Sequence, residues 1–360
     1  MIRKETIRKM EGSMKSTKNW LTTILAVAIL TVFTATGSWA KSKELTISIF
    51  GGSFSEMTKK CFVKPFEEKY GIKVNVVHGI STENLAKLRA QKNNPQIDVV
   101  YMDRSVAVQA RDEGLLMKLD PARIPNMSQL YDKAKFKDGY MVAELFAACG
   151  LVYNTEHVKN PPTSWSDLWA PRFKGKVALP DITGTAGWMT LLMAAKINGG
   201  DMNNIDPGFE AIKKLRKDVV TFYTHADQLV SLLERGEVWI APWYHDRAAF
   251  TQKKGVPISF CFPKEGAVGI FPCAAVVKGG PNTEAGEKYI NELVSAAGQK
   301  CFAENMFEGP VNKEVKLPPE LAAKMPYGQE QIEAMVVPDF ELAGKFRGEW
   351  TERWNKEIAH

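Results

Sequence analysis

The sequence has no long proline- or glycine-rich tract: its 19 prolines and 27 glycines are spread along 360 residues. That excludes a collagenous or linker-like chain. No segment recurs at the fixed period that builds solenoids or propellers. None of the five cysteines stands in a Cys-x-x-Cys spacing, so zinc-ribbon and thioredoxin-type chemistry find no support. Net charge is nearly missing from the body of the chain. Of the formal +6, residues 1–40 carry +4 and the other 320 carry +2. A near-neutral body gives no electrostatic footprint for nucleic acid. No cofactor and no metal are expected.

What is present begins with a leader. Lys15 and Lys18 precede the apolar run Trp20–Phe33, which ends at Gly37-Ser38-Trp39-Ala40. Charge, apolar run and small residues in this order predict a secretory signal over residues 1–40, cut after Ala40. The run of about 14 residues is short of the roughly 20 needed to span a bilayer. Met14 opens a more usual leader than Met1. The residue directly after the cut is Lys41 and not a cysteine, so no lipid anchor is indicated. The mature protein is expected in the periplasm. All five cysteines (Cys61, Cys149, Cys261, Cys273, Cys301) follow the cut, in a compartment that permits disulfides, and an odd count leaves at least one thiol over.

Along the mature chain, strand and helix patterns alternate. Glu44–Phe50 has period two; Met57, Cys61, Phe62 and Phe66 recur at helical spacing up to Gly71. Strands follow at 72–77 and 97–101, and a helix over 106–113 closed by Gly114. Residues 140–153 read as one extended stretch. Ser164 or Ser166 caps a short helix through Asp167. A strand at 176–180, an apolar helix at 186–196, a strand at 238–242 and a helix at 244–253 continue the rhythm. Alternation of this kind argues for parallel sheets covered by helices. The chain is too long for one comfortable core. Two lobes are expected: 41–148 with about 272–320, and 154–262 with about 325–360. Hinge crossovers are expected near 147–154 and 263–274, with a small-molecule cleft between the lobes.

Five stretches then carry a resemblance: Phe66-Glu-Glu-Lys-Tyr-Gly-Ile-Lys-Val74; Asp98-Val-Val with Arg111-Asp-Glu-Gly-Leu-Leu116; Thr163-Ser-Trp-Ser-Asp-Leu-Trp169; Glu234-Arg-Gly-Glu-Val238; and Phe262-Pro-Lys-Glu-Gly266. In this order the chain resembles the periplasmic solute-binding proteins of ABC importers, in the branch of spermidine- and putrescine-binding proteins. The resemblance implies an α/β, two-lobed periplasmic binding protein fold of type II with a double crossover hinge. It implies closure around a solute, delivery to a permease in the inner membrane, and no catalysis. A monomer is expected. The positions where that branch holds ammonium groups with carboxylates are here Ile182, Thr185 and Pro272, which argues against a polyamine.

The candidate ligand residues fall in four places. Asp181–Gly187 offers Thr183, Gly184, Thr185 and Ala186 at a helix N-terminus, an arrangement suited to a carboxylate or phosphonate; the plain alternative is an N-cap. Gly51–Phe54 offers Ser53 and Phe54 from the other lobe, or simply a tight turn. Trp243-Tyr-His-Asp246 follows a buried strand. There Trp243 resembles a ligand-stacking residue of the branch, and Tyr244 and Asp246 add polar contacts, with a core aromatic as the bland alternative. His245 reads as a satisfied or surface histidine. Asp103 and Arg104 end another strand, as ligand clamps or as an internal ion pair.

The expected function is capture of a small solute bearing a carboxylate or phosphonate. Thiamine or a phosphorylated ring, and a polyamine, are alternatives within the family. A ferric site is discounted because Tyr223 and Tyr244 are not adjacent. A further alternative is a cysteine-dependent transferase using Cys149 or Cys273, which lie near the expected crossovers.

Overall fold

The computed structural model describes residues 44–359. The leader and the cut after Ala40 lie outside the described residues. β1 (Glu44–Ile49) runs parallel to β2 (Lys73–His78) and to β3 (Val99–Met102). Its Leu45, Ile47 and Ile49 are fully buried on one face, and Ser48 on the other donates to Asn84 at 2.8 Å. A strand covered on both faces is the usual state in a parallel sheet. The crossover from β1 to β2 is the helix α1, Ser53–Thr58 and Lys64–Tyr70 joined by a π-helical turn at Lys59–Val63. Helices α2 (Ser81–Ala90) and α3 (Arg104–Asp112) follow β2 and β3. The antiparallel strands β4 (Val142–Ala143) and β11 (Cys273–Val276) complete the order β2-β1-β3-β11-β4.

The second sheet holds β5 (Ala147–Asn154), β6 (Val177–Pro180), β7 (Val219–Tyr223), β8 (Ile240–Tyr244), β9 (Ile258–Cys261) and β10 (Val268–Ile270). Its order is β10-β5-β8-β6-β7, with β9 also paired to β5. α4 (Thr185–Ile197) is apolar nearly all round and buried from Ala186 through Ala195. α5 (Asp206–Leu215), α6 (Ala226–Glu234) and α7 (His245–Lys253) complete this layer. The C-terminal region is shared. α8 (Thr283–Leu293) and α9 (Ala296–Met306) pack on the core of the first sheet, whereas α10 (Phe340–Glu357) sends Ala343, Trp350 and Trp354 into the core of the second. Full burial of one such large apolar side chain is worth about 1.5–3 kcal/mol. The disulfide Cys61–Cys301 ties the π-helical turn to α9, and Cys149, Cys261 and Cys273 are free and buried.

The chain passes between the sheets twice, through 144–146 and 271–272, which lie side by side: the Glu144 amide donates to the Pro272 carbonyl at 2.9 Å. The fold is two-lobed.

Some local expectations differ from the structure. The stretch 140–153 is two strands, because the chain leaves the first sheet after Ala143 and joins the second at Ala147. The strand expected at 238–242 is displaced to Ile240–Tyr244, since its pairing with β5 runs from Tyr153↔Ile240 to Cys149↔Tyr244. The helix expected from Val106 starts at Arg104, and Gly114 closes it at φ +71°. Trp165–Trp169 is a 3₁₀ turn capped by Ser164, whose Oγ accepts from the Ser166 amide at 3.0 Å.

Candidate functional site

Asp181 shapes the loop after β6. Its carboxylate accepts from the Thr183 amide at 2.9 Å and from the Thr183 hydroxyl at 2.5 Å, and its carbonyl accepts from Gly184 N–H at 3.0 Å. The loop then folds back onto the first turn of α4. A Cβ on Gly187 would stand 2.0 Å from the Asp181 carbonyl oxygen, so only glycine fits there. Ile182 turns into the core, while Thr183 and Gly184 stay exposed. Tyr244, the last residue of β8, lines two cavities with Thr185, and the Ala186 amide and Thr185 hydroxyl near its phenol act to lower its pKa. Burial nevertheless drives the phenol further above its ordinary pKa, so it stays neutral.

Two cavities meet at Thr185 and Tyr244. One, of about 350 Å³, lies within the second lobe between the 180–186 loop, Tyr223, Thr224, Ala226, Trp243 and Arg247. The other, of about 430 Å³, lies between the lobes. Asp103, Arg104 and Ser105 come to it from the first lobe, Thr185, Trp188, Tyr244 and Ile270 from the second, Phe271 from a link, and Phe340 and Arg347 from α10.

Three arginines therefore line the two cavities that share Thr185, the first residue of α4. Arg104 lies over the Phe136 ring, 4.6 Å from its centroid, and makes no ion pair among the described residues. Arg347 donates to the Thr183 carbonyl at 2.8 Å, and Arg247 is 3.6 Å from Asp246. Asp103 does not pair with Arg104: its carboxylate accepts from the Ser81 hydroxyl at 2.8 Å, and its amide donates to the same oxygen at 2.9 Å. With its partly free arginines, helix N-terminus and hydroxyls, the junction is suited to an anionic group.

The remaining expected residues are placed as follows. Ser53 is exposed at the start of α1, and Phe54 packs edge-on against Phe50, Tyr101 and Phe302 at 5.4, 6.2 and 5.4 Å. Neither lines these two cavities, and the first lobe reaches the junction through α3 instead. Trp243 touches the smaller cavity but is only 3% exposed, packed with Val152, Ala178, Tyr223 and Leu229. β8 lies between β5 and β6, so Trp243 is more wall than stacking shelf. Asp246 opens α7 beside the site, outside both linings. His245 is fully buried and satisfied: Nδ1 accepts from the Ala148 amide at 3.1 Å, and Nε2 faces the Phe307 carbonyl at 2.8 Å. Burial lowers its pKa, and this partner set fits the neutral ring protonated on Nε2.

The transferase alternative loses its nucleophile. Cys149 and Cys273 are buried, burial pushes both thiols up, and the Cys273 thiol donates to the Phe271 carbonyl at 3.2 Å. A thiol held protonated is a poor nucleophile.

Sequence reasoning missed Arg247, one residue beyond a stretch it singled out, and Arg347, which reaches Thr183 across 164 positions. It also missed Glu144 and Glu308, which are buried beside the first link.

Two sheets joined by two adjacent links, with a cavity where the lobes meet, define a hinged binding protein. Residues 62–326 match the model of the bacterial extracellular solute-binding proteins. The gamma-aminobutyric acid-binding protein of Pseudomonas aeruginosa is 28% identical over 347 residues, 90% of this chain and 94% of that one. The spermidine/putrescine-binding periplasmic protein 1 of Haemophilus influenzae is 30% identical over 67% of this chain and 69% of its own. The crystal structure of an ABC transporter from Clostridium perfringens superposes with a TM-score of 0.76 at 30% identity, covering 87% of this chain and 99% of that one. The chain belongs to the bacterial extracellular solute-binding protein family. Its role is that of the family, capture of a solute for an ABC transporter.

Proposed function

We propose that this protein is a periplasmic receptor for a small solute bearing a carboxylate or phosphonate, which it delivers to an inner-membrane permease without chemical change. The observation that carries the ligand class is that Arg104, Arg247 and Arg347 line the two cavities that share Thr185, with Arg347 bonded to the Thr183 carbonyl. An anion there gains charge-assisted hydrogen bonds. A polyamine would place a cation against these guanidinium groups, at an end of the site where the residue shared by the two cavities on α4 is the uncharged Thr185. Its burial without a counter-charge is costly.

Each lobe supplies part of the wall, so closure about 144–146 and 271–272 completes the site. The leader directs export, with Lys41 as the first mature residue. Calorimetric titration of the mature protein with short carboxylates and phosphonates, against spermidine and putrescine, tests the ligand class. The anion-bearing compounds bind at micromolar or better and the polyamines weakly. Submicromolar polyamine binding contradicts the reading.

A further inference from the structure

Two buried carboxyl groups stand at the first link between the lobes, Glu144 on the link itself and Glu308 on the segment beside it. Glu144 is 2% exposed and Glu308 is 8% exposed. Both carboxyl oxygens of Glu144, and Oε2 of Glu308, are buried with no hydrogen-bond partner. His245 approaches that Glu308 oxygen at 3.5 Å, but directs Nε2 to the Phe307 carbonyl. The segment bearing Glu308 is held to the link by Phe146 and Gly309, which bond each other's backbone. Buried polar groups without partners are rare and call for an explanation. These acids stand beside the ligand junction. The Glu144 amide bonds the carbonyl of Pro272 at 2.9 Å, next in sequence to Phe271 of the interlobe cavity wall, and Glu308 lies 3.5 Å from His245, next in sequence to Tyr244 of the junction; neither acid is itself in the lining of the two cavities.

We propose that Glu144 and Glu308 form a subsite for a primary ammonium group, so that the solute carries an amine as well as its anion. The proposal rests on the reading that the solute's anionic end sits at Thr185 and the arginines. An ammonium group offers three donors in a compact head, matching the unpartnered carboxyl oxygens. A metal ion fits less well: among the described residues no three His, Cys, Asp or Glu side chains converge to hold one. Burial pushes both carboxyls well above their ordinary range, so the empty site holds protons. Binding then exchanges charge in balance. The ammonium takes the place of a carboxyl proton, the carboxylate forms, and the proton passes to the buffer.

The test is calorimetric titration of the mature protein with 4-aminobutanoate against butanoate, 2-aminoethylphosphonate against ethylphosphonate, and putrescine, in buffers of different ionisation enthalpy. At least one zwitterion should bind about tenfold or more tightly than its amine-free counterpart and release protons. Glu144→Gln and Glu308→Gln should each reduce that zwitterion's affinity about ten- to hundredfold, abolish proton release, and leave the amine-free anion unchanged. Thermal unfolding of the empty variants should show no loss of stability, which separates binding from folding. Equal affinity for zwitterion and amine-free anion, or unaltered zwitterion binding in both variants, overturns the ammonium subsite but leaves the anion reading standing. Putrescine binding that depends on Glu144, with no anion bound, keeps the subsite and overturns the anion reading. A protein that binds none of the probes overturns both.

Discussion

Phe146 and Gly309 exchange both backbone hydrogen bonds, at 2.8 and 3.0 Å. This bridge fastens the first link between the lobes to the segment that carries Glu308. Gly309 has no room for a side chain: a Cβ would stand 2.4 Å from the Pro326 carbonyl oxygen and 3.0 Å from that of Phe146. Both obstacles are backbone. Gly309→Ala should therefore destabilise the protein by about 1–3 kcal/mol in urea unfolding. An unchanged midpoint would mean that the link accommodates the methyl by moving.

The disulfide Cys61–Cys301 closes a loop across 240 positions. Cross-linking of this reach restricts the unfolded chain strongly. Cys61→Ser with Cys301→Ser should lower stability by about 2–5 kcal/mol, read by denaturation with and without reductant. Reductant should leave the double variant unaffected, because the other three cysteines are free.

Trp243 separates wall from shelf. Buried at 3% exposure within the second lobe, it should cost about 3–5 kcal/mol of stability when replaced by alanine. Unchanged stability with a large loss of affinity would instead return it to the stacking role suggested by the sequence.

Stability should depend on pH through Glu144. Its pKa in the folded protein is raised well above the ordinary 4.5 by burial, with Asp103 adding to the rise. The groups coupled to it are Asp103, Tyr101, Tyr289, Glu308 and Cys273. The folded state thus binds more protons than the unfolded one above pH 4.5, so stability falls as pH rises from there toward the folded value. Glu144→Gln should match the wild type below pH 4.5 and become progressively more stable than it above. His245 acts in the opposite sense. Burial lowers its pKa from 6.5, so it contributes a loss of stability as pH falls through that value, in both proteins alike. Parallel pH profiles for the two proteins would refute a buried protonated Glu144.

Much of the scaffold was legible in the sequence, because period-two and helical patterns are local. β1 and α4 begin within a residue of where their patterns do. The turn at Thr183–Ala186 was legible for the same reason: glycine and threonine between a strand and an apolar helix have a local meaning. The break at Glu144 was not, since the residues on both sides are extended and only the change of sheet separates them. Arg347 is one exposed cation on a charged helix face, and nothing near it announces a carbonyl 164 positions away. Glu144 and Glu308 were hidden for a related reason. A lone glutamate reads as solvated, and burial of both arises only when segment 307–309 comes to lie along the link. Ser53 and Phe54 show the converse, a turn with suitable chemistry whose aromatic ring packs inside its own lobe.

Arg104 is the cation from the first lobe, held over Phe136 without a carboxylate partner. Arg104→Ala should weaken binding of a carboxylate or phosphonate by about 1.5–3 kcal/mol, and Thr185→Val by about 0.5–1.5 kcal/mol. Calorimetry reads both, with unfolding curves as the control. Full affinity in both variants would move the anion away from this junction.

The most direct test of the account is to release the bound small molecule from protein purified from its exported compartment and identify it by mass spectrometry. The account predicts one dominant solute bearing a carboxylate or phosphonate, lost from protein carrying Arg104→Ala. A polyamine or another solute without an anionic group, retained by that variant, would contradict it.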